Sequence, residues 1–165
     1  MTINSAENII VLANSPAEFE IAKALFLEYA NTLEFDLCFQ NFDTEMKKIS
    51  VQYNYPEGGI LLVKTNNNYA GCVGVRKFKG TIAELKRMYI QPEFRGKGYG
   101  KILLNEAIRL SANLGYDHLR LDTIKTMKAA IRLYEETGFI KIDAYRHNPI
   151  EGVMYYELDL SDFEF

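Results

Sequence analysis

The chain has 165 residues, 48 % of them hydrophobic and 25 % charged, a composition that fits one globular domain with a sizeable core. Lys and Arg total 19 against 22 Asp and Glu, and the resulting charge of -3 argues against a protein that coats nucleic acid or an anionic membrane. No apolar run reaches membrane-spanning length, no basic region precedes the first apolar stretch, and Cys38, Cys72, His118 and His147 offer no metal-ligating spacing. A cytoplasmic, reduced protein without a metal is the expectation.

In chain order, Ile9 to Ala13 reads as a strand. Ser15-Pro16-Ala17-Glu18 then opens a helix, with Ser as N-cap, Pro at the first helical position and Glu three residues beyond the cap. Phe19, Ala22, Phe26 and Tyr29 recur at helical spacing, which carries this helix to about Asn31. A shorter helix is predicted from near Asp43, with Met46 and Ile49 on its apolar side. Ile60 to Lys64, Tyr69 to Lys79 and Ile82 to Ile90 read as an antiparallel meander, turned at Asn66-Asn67-Asn68 and at Gly80. A helix follows from about Tyr99 to Asn113 with Gly115 after its end, then a strand from His118 to Thr123. A helix from Met127 to Thr137, closed by Gly138, precedes strands at Phe139 to Tyr145 and Val153 to Leu160. This order predicts an α/β fold with a central mixed, mostly antiparallel sheet flanked by helices, as one domain over residues 1–165.

The segment from Gln91 to Lys101 carries the strongest chemical signal. Gly96, Gly98 and Gly100 alternate with Arg95, Lys97, Tyr99 and Lys101 just where an amphipathic helix begins. Free amide groups and the positive end of the helix dipole converge there, which makes a cradle for a phosphate or diphosphate. A flexible turn with solvated lysines is the plainer alternative, and the order strand, loop, helix speaks against it. A P-loop is excluded because Arg95 stands where its first glycine belongs and Ile102 follows Lys101. A dinucleotide fingerprint is excluded because Lys101 replaces its third glycine.

The run Arg95-Gly96-Lys97-Gly98-Tyr99-Gly100, preceded by Ala83 to Phe94, resembles the GNAT superfamily of acyl-CoA-dependent N-acetyltransferases. Ala129-Ala130-Ile131-Arg132-Leu133-Tyr134-Glu135-Glu136-Thr137-Gly138-Phe139 resembles the second motif of that family, and the two stand in the family's order. The resemblance implies acetyl-CoA as co-substrate, held by backbone groups at Met88, Tyr89 and Ile90 and by the cradle from Arg95 through Gly96, Lys97, Gly98, Tyr99 and Gly100 to Lys101. It also implies direct transfer of acetyl to a primary amine. Met127 stands where many members carry an Asn that contacts the cofactor.

In the resemblance, Tyr134 protonates the departing thiolate and Glu84 is the general base for an ammonium whose ordinary pKa is near 10. Period-two alternation places Glu84 on the same side as Lys86 and Met88. The structural alternatives are cross-sheet pairing for Glu84 and core packing for Tyr134. Cys38 and Cys72 lack a nearby activating His and read as small buried residues.

The acceptor walls implied are residues 34–42 and 145–149, with Phe35, Asp36, Tyr145, Arg146 and Asn148 as candidate contacts. Asp36 would attract an ammonium and Arg146 a carboxylate, whereas on the plainer reading Phe35, Phe39 and Phe42 only pack the corner. The implied partner is a small-molecule or peptide amine, with no nucleic acid and no membrane, and a homodimer stays open. A non-catalytic acyl-CoA-sensing module is the competing function.

Overall fold

The protein is described by a computed structural model over residues 8–37 and 41–163. Its strands are β1 (Asn8–Leu12), β2 (Gly59–Thr65), β3 (Asn68–Lys79), β4 (Ile82–Ile90), β5 (His118–Ile124), β6 (Ile140–Ile142) and β7 (Val153–Asp159). Its helices are α1 (Pro16–Thr32), α2 (Phe42–Lys47), α3 (Ile49–Gln52), α4 (Tyr99–Asn113) and α5 (Lys128–Thr137). The seven strands form one sheet in the order β1-β2-β3-β4-β5-β7-β6. Only β4 and β5 run parallel; the other neighbours are antiparallel, as expected for the predicted mixed sheet.

Local chemistry sets several boundaries as the sequence implied. Ser15 accepts a hydrogen bond from the Glu18 amide at 3.2 Å and donates its hydroxyl to Glu18 Oε1 at 2.9 Å, which fixes the start of α1. Gly138, at φ +115, ends α5 by donating its amide to Tyr134 and Glu135 carbonyls. Alternating strand residues feed two cores. Leu61, Val63, Val73, Leu85, Leu119 and Leu121 pack under α4 and α5. Ile60, Leu62, Cys72 and Tyr89 pack under α1, α2 and α3.

Three local readings differ. The helix expected from Asp43 breaks at Lys48 into the short α2 and α3. The strand expected from Phe139 to Tyr145 shrinks to β6, because Tyr145 and Arg146 turn inward to hydrogen-bond Glu84 instead of continuing along the sheet edge. The third difference is a bulge in β4. Val73 alone lies opposite the pair Arg87 and Met88, and Arg87 takes φ +57. Glu84 and Lys86 therefore stay on the face of α1–α3, whereas Met88 packs into the opposite core. The period-two extrapolation from Glu84 to Met88 fails at that extra residue.

Candidate active site

The parallel β4–β5 ladder holds for only three pairs, Ile82–Glu84 with His118–Arg120. Beyond it the strands part, since β5 continues its full pairing with β7 while the Arg87 bulge bends β4 away. The opening lies between Leu85–Met88 on one side and Asp122 and Thr123 on the other. A sheet interrupted in this way leaves main-chain groups of β4 available to a ligand instead of a strand.

From the opening, a groove of about 560 Å³ runs along Met88, Tyr89 and Ile90 to the glycine turn. Arg95, Gly96, Gly98, Tyr99 and Gly100 form one wall, and Met127, Ala129, Ala130 and Leu133 at the start of α5 form the other. No side chain caps the first turn of α4. Its N-cap is Gly98 at φ +84, and neither Gly98 nor Gly96 at φ +78 has an atom within 4 Å of where a Cβ would stand. The cradle thus offers exposed amides in a geometry that disfavours side chains. Arg95 donates Nε to the Ile90 carbonyl at 3.0 Å and lies over the Tyr89 ring, so its guanidinium is anchored at the end of β4. Lys97 sits over Phe94, and both Lys97 and Lys101 are exposed beside the groove, outside its wall. These features fit a phosphate-bearing pantetheine thioester: amides and a cation for the phosphates, then an apolar trough ending at the opening.

At the inner end, Tyr134 lines a cavity of about 50 Å³ with Tyr29, Lys86, Arg87, Met88, Asp122 and Met127. Its ring rests on Phe139 and Tyr156, with centroids 5.7 and 6.5 Å away. Burial, with the nearby Tyr29 and Asp122 adding to it, pushes the Tyr134 phenol well above its ordinary value, so it keeps its proton. Met127 accepts the Thr123 hydroxyl on its sulfur at 3.6 Å and spans both groove and cavity.

Glu84 sits where the sheet is still closed. Its buried carboxylate accepts hydrogen bonds from Tyr145 (2.9 Å) and Arg146, and faces Arg76 Nη2 at 3.5 Å and Lys86 Nζ at 3.8 Å. Burial alone would raise its pKa, but the charges of Lys86, Arg146 and Arg76 outweigh burial and hold it below the carboxylate range. Burial also lowers the Lys86 ammonium to about 8 despite Glu84. Behind them, Glu45 receives Arg87 Nη2 and Nε at 2.9 and 3.2 Å and the Tyr53 hydroxyl at 2.9 Å. Sequence reasoning missed Glu45, Arg87, Asp122 and Tyr29. Only Asp122 left a signal, as an acidic residue between Leu121 and Thr123 on a strand.

The acceptor candidates divide. Phe35 and Asn148 line a second cavity of about 40 Å³ together with Tyr29, Leu37, Arg87, Asp122 and Met127, so the two predicted walls meet at the opening. Asp36 is exposed and stands outside that lining. Tyr145 and Arg146 reach Glu84, and Arg146 forms part of a larger cavity of about 720 Å³ with Arg76, Lys77 and Phe78. Cys72 is buried, donates its thiol to the Arg87 carbonyl at 3.4 Å and is raised by burial, which leaves no thiolate for catalysis. Cys38, Phe39 and Gln40 lie outside the described residues. Among the described residues, no cluster of three His, Cys, Asp or Glu could hold a metal, and no helix is long and apolar enough to cross a membrane.

Residues 25–139 match the sequence profile of the Acetyltransferase (GNAT) family. An uncharacterized N-acetyltransferase of Schizosaccharomyces pombe is 39 % identical over 148 residues, covering 88 % of this chain and 91 % of that protein. Human N-acetylaspartate synthetase is 31 % identical over 112 residues, 67 % of this chain and 37 % of that protein. Among solved structures, Salmonella typhimurium yncA with its cofactor acetyl-CoA superposes with a TM-score of 0.69 at 17 % identity, covering 95 % of this chain and 96 % of that one, a likeness of fold. By that profile match over most of its length and by its likeness to the Schizosaccharomyces pombe relative, the chain belongs to the GNAT family of acetyltransferases, enzymes that take their acyl group from acetyl-CoA.

Proposed function

We propose that this enzyme transfers acetyl directly to the primary amine of a small acceptor that also carries a carboxylate. The observation that carries the acceptor class is a charge imbalance. Arg76, Lys86, Arg87 and Arg146 stand against Glu45 and Glu84 in one largely buried network beside the opening, with Asp122 as a third carboxylate next to it, so the cations outnumber the carboxylates by one. Such an excess of positive charge at low dielectric favours an anionic group brought in by the substrate. Arg146 is the residue placed to take it, because its Nε is buried without a hydrogen-bond partner among the described residues and its planar fork suits a carboxylate. The relation to N-acetylaspartate synthetase supports the same class, since the product in that name is an acylated amine with carboxylates.

Acetyl-CoA supplies the activated acyl group. The cradle at Gly96 and Gly98, with Arg95, holds its phosphates, and Met88 to Ile90 align it along the groove. Tyr134, kept protonated by burial, gives a proton to the leaving sulfur. Glu84 holds Tyr145 and Arg146 in place rather than accepting a proton itself, because both of its oxygens are already engaged, one by Tyr145 and Arg146 and the other by Arg76 and Lys86. A protonated phenol lining the cavity at the inner end of the groove favours turnover over sensing.

The test mixes the protein and acetyl-CoA with a panel of amines while free thiol is followed. Amino acids and amino dicarboxylates should turn over faster than alkylamines of equal length. Arg146→Ala should lose the carboxylate-bearing amines selectively, by about tenfold or more, the worth of a charged hydrogen bond. Equal losses for both classes would remove Arg146 from recognition, and preference for uncharged amines would overturn the acceptor class.

A further inference from the structure

Among the described residues that line the opening, Asp122 is the one acidic residue. The β4–β5 register ends at Glu84 opposite Arg120; two residues further on, Asp122 stands across the gap from Lys86 on the same sheet face. It lines both small cavities, one reaching the groove beside Tyr134 and the other reaching Phe35 and Asn148. Its Oδ2 is buried and has no hydrogen-bond partner among the described residues, in contrast to the fully engaged Glu84. An unpaired buried carboxylate oxygen is costly, and its natural partner is a donor that arrives with the substrate. Cavities of about 40 and 50 Å³ have room for an ammonium head or a water between it and that oxygen.

We propose that Asp122 receives the acceptor's ammonium group and takes its first proton, a role that rests on the acetyl-transfer reading above. Two protons must leave the nitrogen. Asp122 accepts the first and passes it to solvent, which frees the nitrogen lone pair. As the N–C bond forms and the C–S bond breaks, the nitrogen loses its second proton and the sulfur gains the one Tyr134 donates; the second proton restores Tyr134. The net change is ammonium plus thioester to amide, thiol and one proton released. The groups that face Asp122 are Lys86 and Arg87 from β4, Tyr29 from α1, Tyr134 from α5, Tyr155 from β7, and Tyr145 and Arg146 from the β6–β7 connection. Three of these, Lys86, Arg87 and Arg146, are cationic.

The test compares Asp122→Asn with Glu84→Gln. Asp122→Asn should cut kcat/KM for the amine by roughly 10²–10⁴ near neutrality, the usual worth of a positioned base. Its rate should then climb about tenfold per pH unit toward the amine's own pKa near 10, while acetyl-CoA affinity measured by calorimetry stays unchanged. Glu84→Gln should lower the rate through Arg146 without acquiring this climb toward the amine's pKa. A wild-type profile in Asp122→Asn, or the changed profile in Glu84→Gln instead, would overturn the assignment. A second readout needs no turnover. With carboxyl-¹³C aspartate, the resonance that Asp122→Asn removes should shift on adding ethylammonium chloride and not on adding ethanol. If no amine is acetylated yet this ammonium-specific shift is seen, the acetyl-transfer reading fails and the ammonium site stands; if amines are acetylated and the shift is absent, Asp122 is not the receiving group.

Discussion

Glu45→Ala tests the buried pair on which the bulged strand rests. The carboxylate holds Arg87 through two hydrogen bonds and also accepts the Tyr53 hydroxyl. Glu45 is 1 % exposed and Arg87 is 7 % exposed, so water cannot replace the lost partner without local opening. Stranding a buried charge costs about 3–5 kcal/mol, and the orphaned phenol falls within that sum because both losses share one carboxylate. Against a total stability of roughly 5–15 kcal/mol, this is a large share. Urea unfolding followed by far-UV circular dichroism suits a chain without Trp. The double variant Glu45→Ala/Arg87→Met should regain part of the loss by removing the stranded charge. The pair also has a pH signature. Burial raises the Glu45 carboxyl, but Arg87, Arg76 and Lys86 together hold it below its usual value. Its stabilisation is therefore complete above the unfolded pKa and is lost as pH falls through the folded one. Glu45→Gln should flatten that part of the acid limb. A loss below about 1 kcal/mol for Glu45→Ala with an unchanged m-value, or a double variant no better than the sum of the singles, would refute the reasoning.

Other changes probe the site and the core. Gly98→Asp combines a left-handed backbone at φ +84 with a carboxylate in the cradle, and should weaken acetyl-CoA at least about tenfold by calorimetry. An equal loss for pantetheine without phosphates would contradict the cradle assignment. Tyr134→Phe should lower kcat by roughly 10²–10⁴ with acetyl-CoA affinity nearly unchanged; a wild-type kcat would return Tyr134 to core packing. Gly74→Ala would place a Cβ 2.5 Å from the Tyr53 ring and should cost about 1–3 kcal/mol by urea unfolding, whereas a neutral result would mean that Tyr53 moves freely.

Local chemistry was legible in the sequence. Ser15 and Gly138 mark helix ends because their preferences operate within a few residues, and the glycine cradle could be read from spacing alone. What the sequence concealed depends on residues far apart. Arg87 takes a left-handed conformation that favours glycine, so nothing in Lys86-Arg87-Met88 announced a bulge or the reversal of Met88. Its partner Glu45 is 42 residues away and looked like an ordinary polar residue on a short helix. The truncation of β6 likewise reflects a reach to Glu84, 61 residues before Tyr145. Asp122 was readable as a polar residue on an alternating strand, but its importance follows only from where β4 and β5 part.

That parting also gives the sheet a mechanical character. Strands β1–β4 and β5–β7 are joined by three ladder pairs at one end, and among the described residues no further ladder pair follows along the seam, where side-chain packing alone bridges them. A ligand lying in the groove would lace the two leaves together and stiffen them as a strut does a hinge. Amides of Met88 to Ile90 should then exchange with deuterium quickly in the ligand-free protein and slowly with acetyl-CoA, and the melting temperature should climb with ligand concentration. Saturation would tighten a fold whose weakest line coincides with its reaction centre.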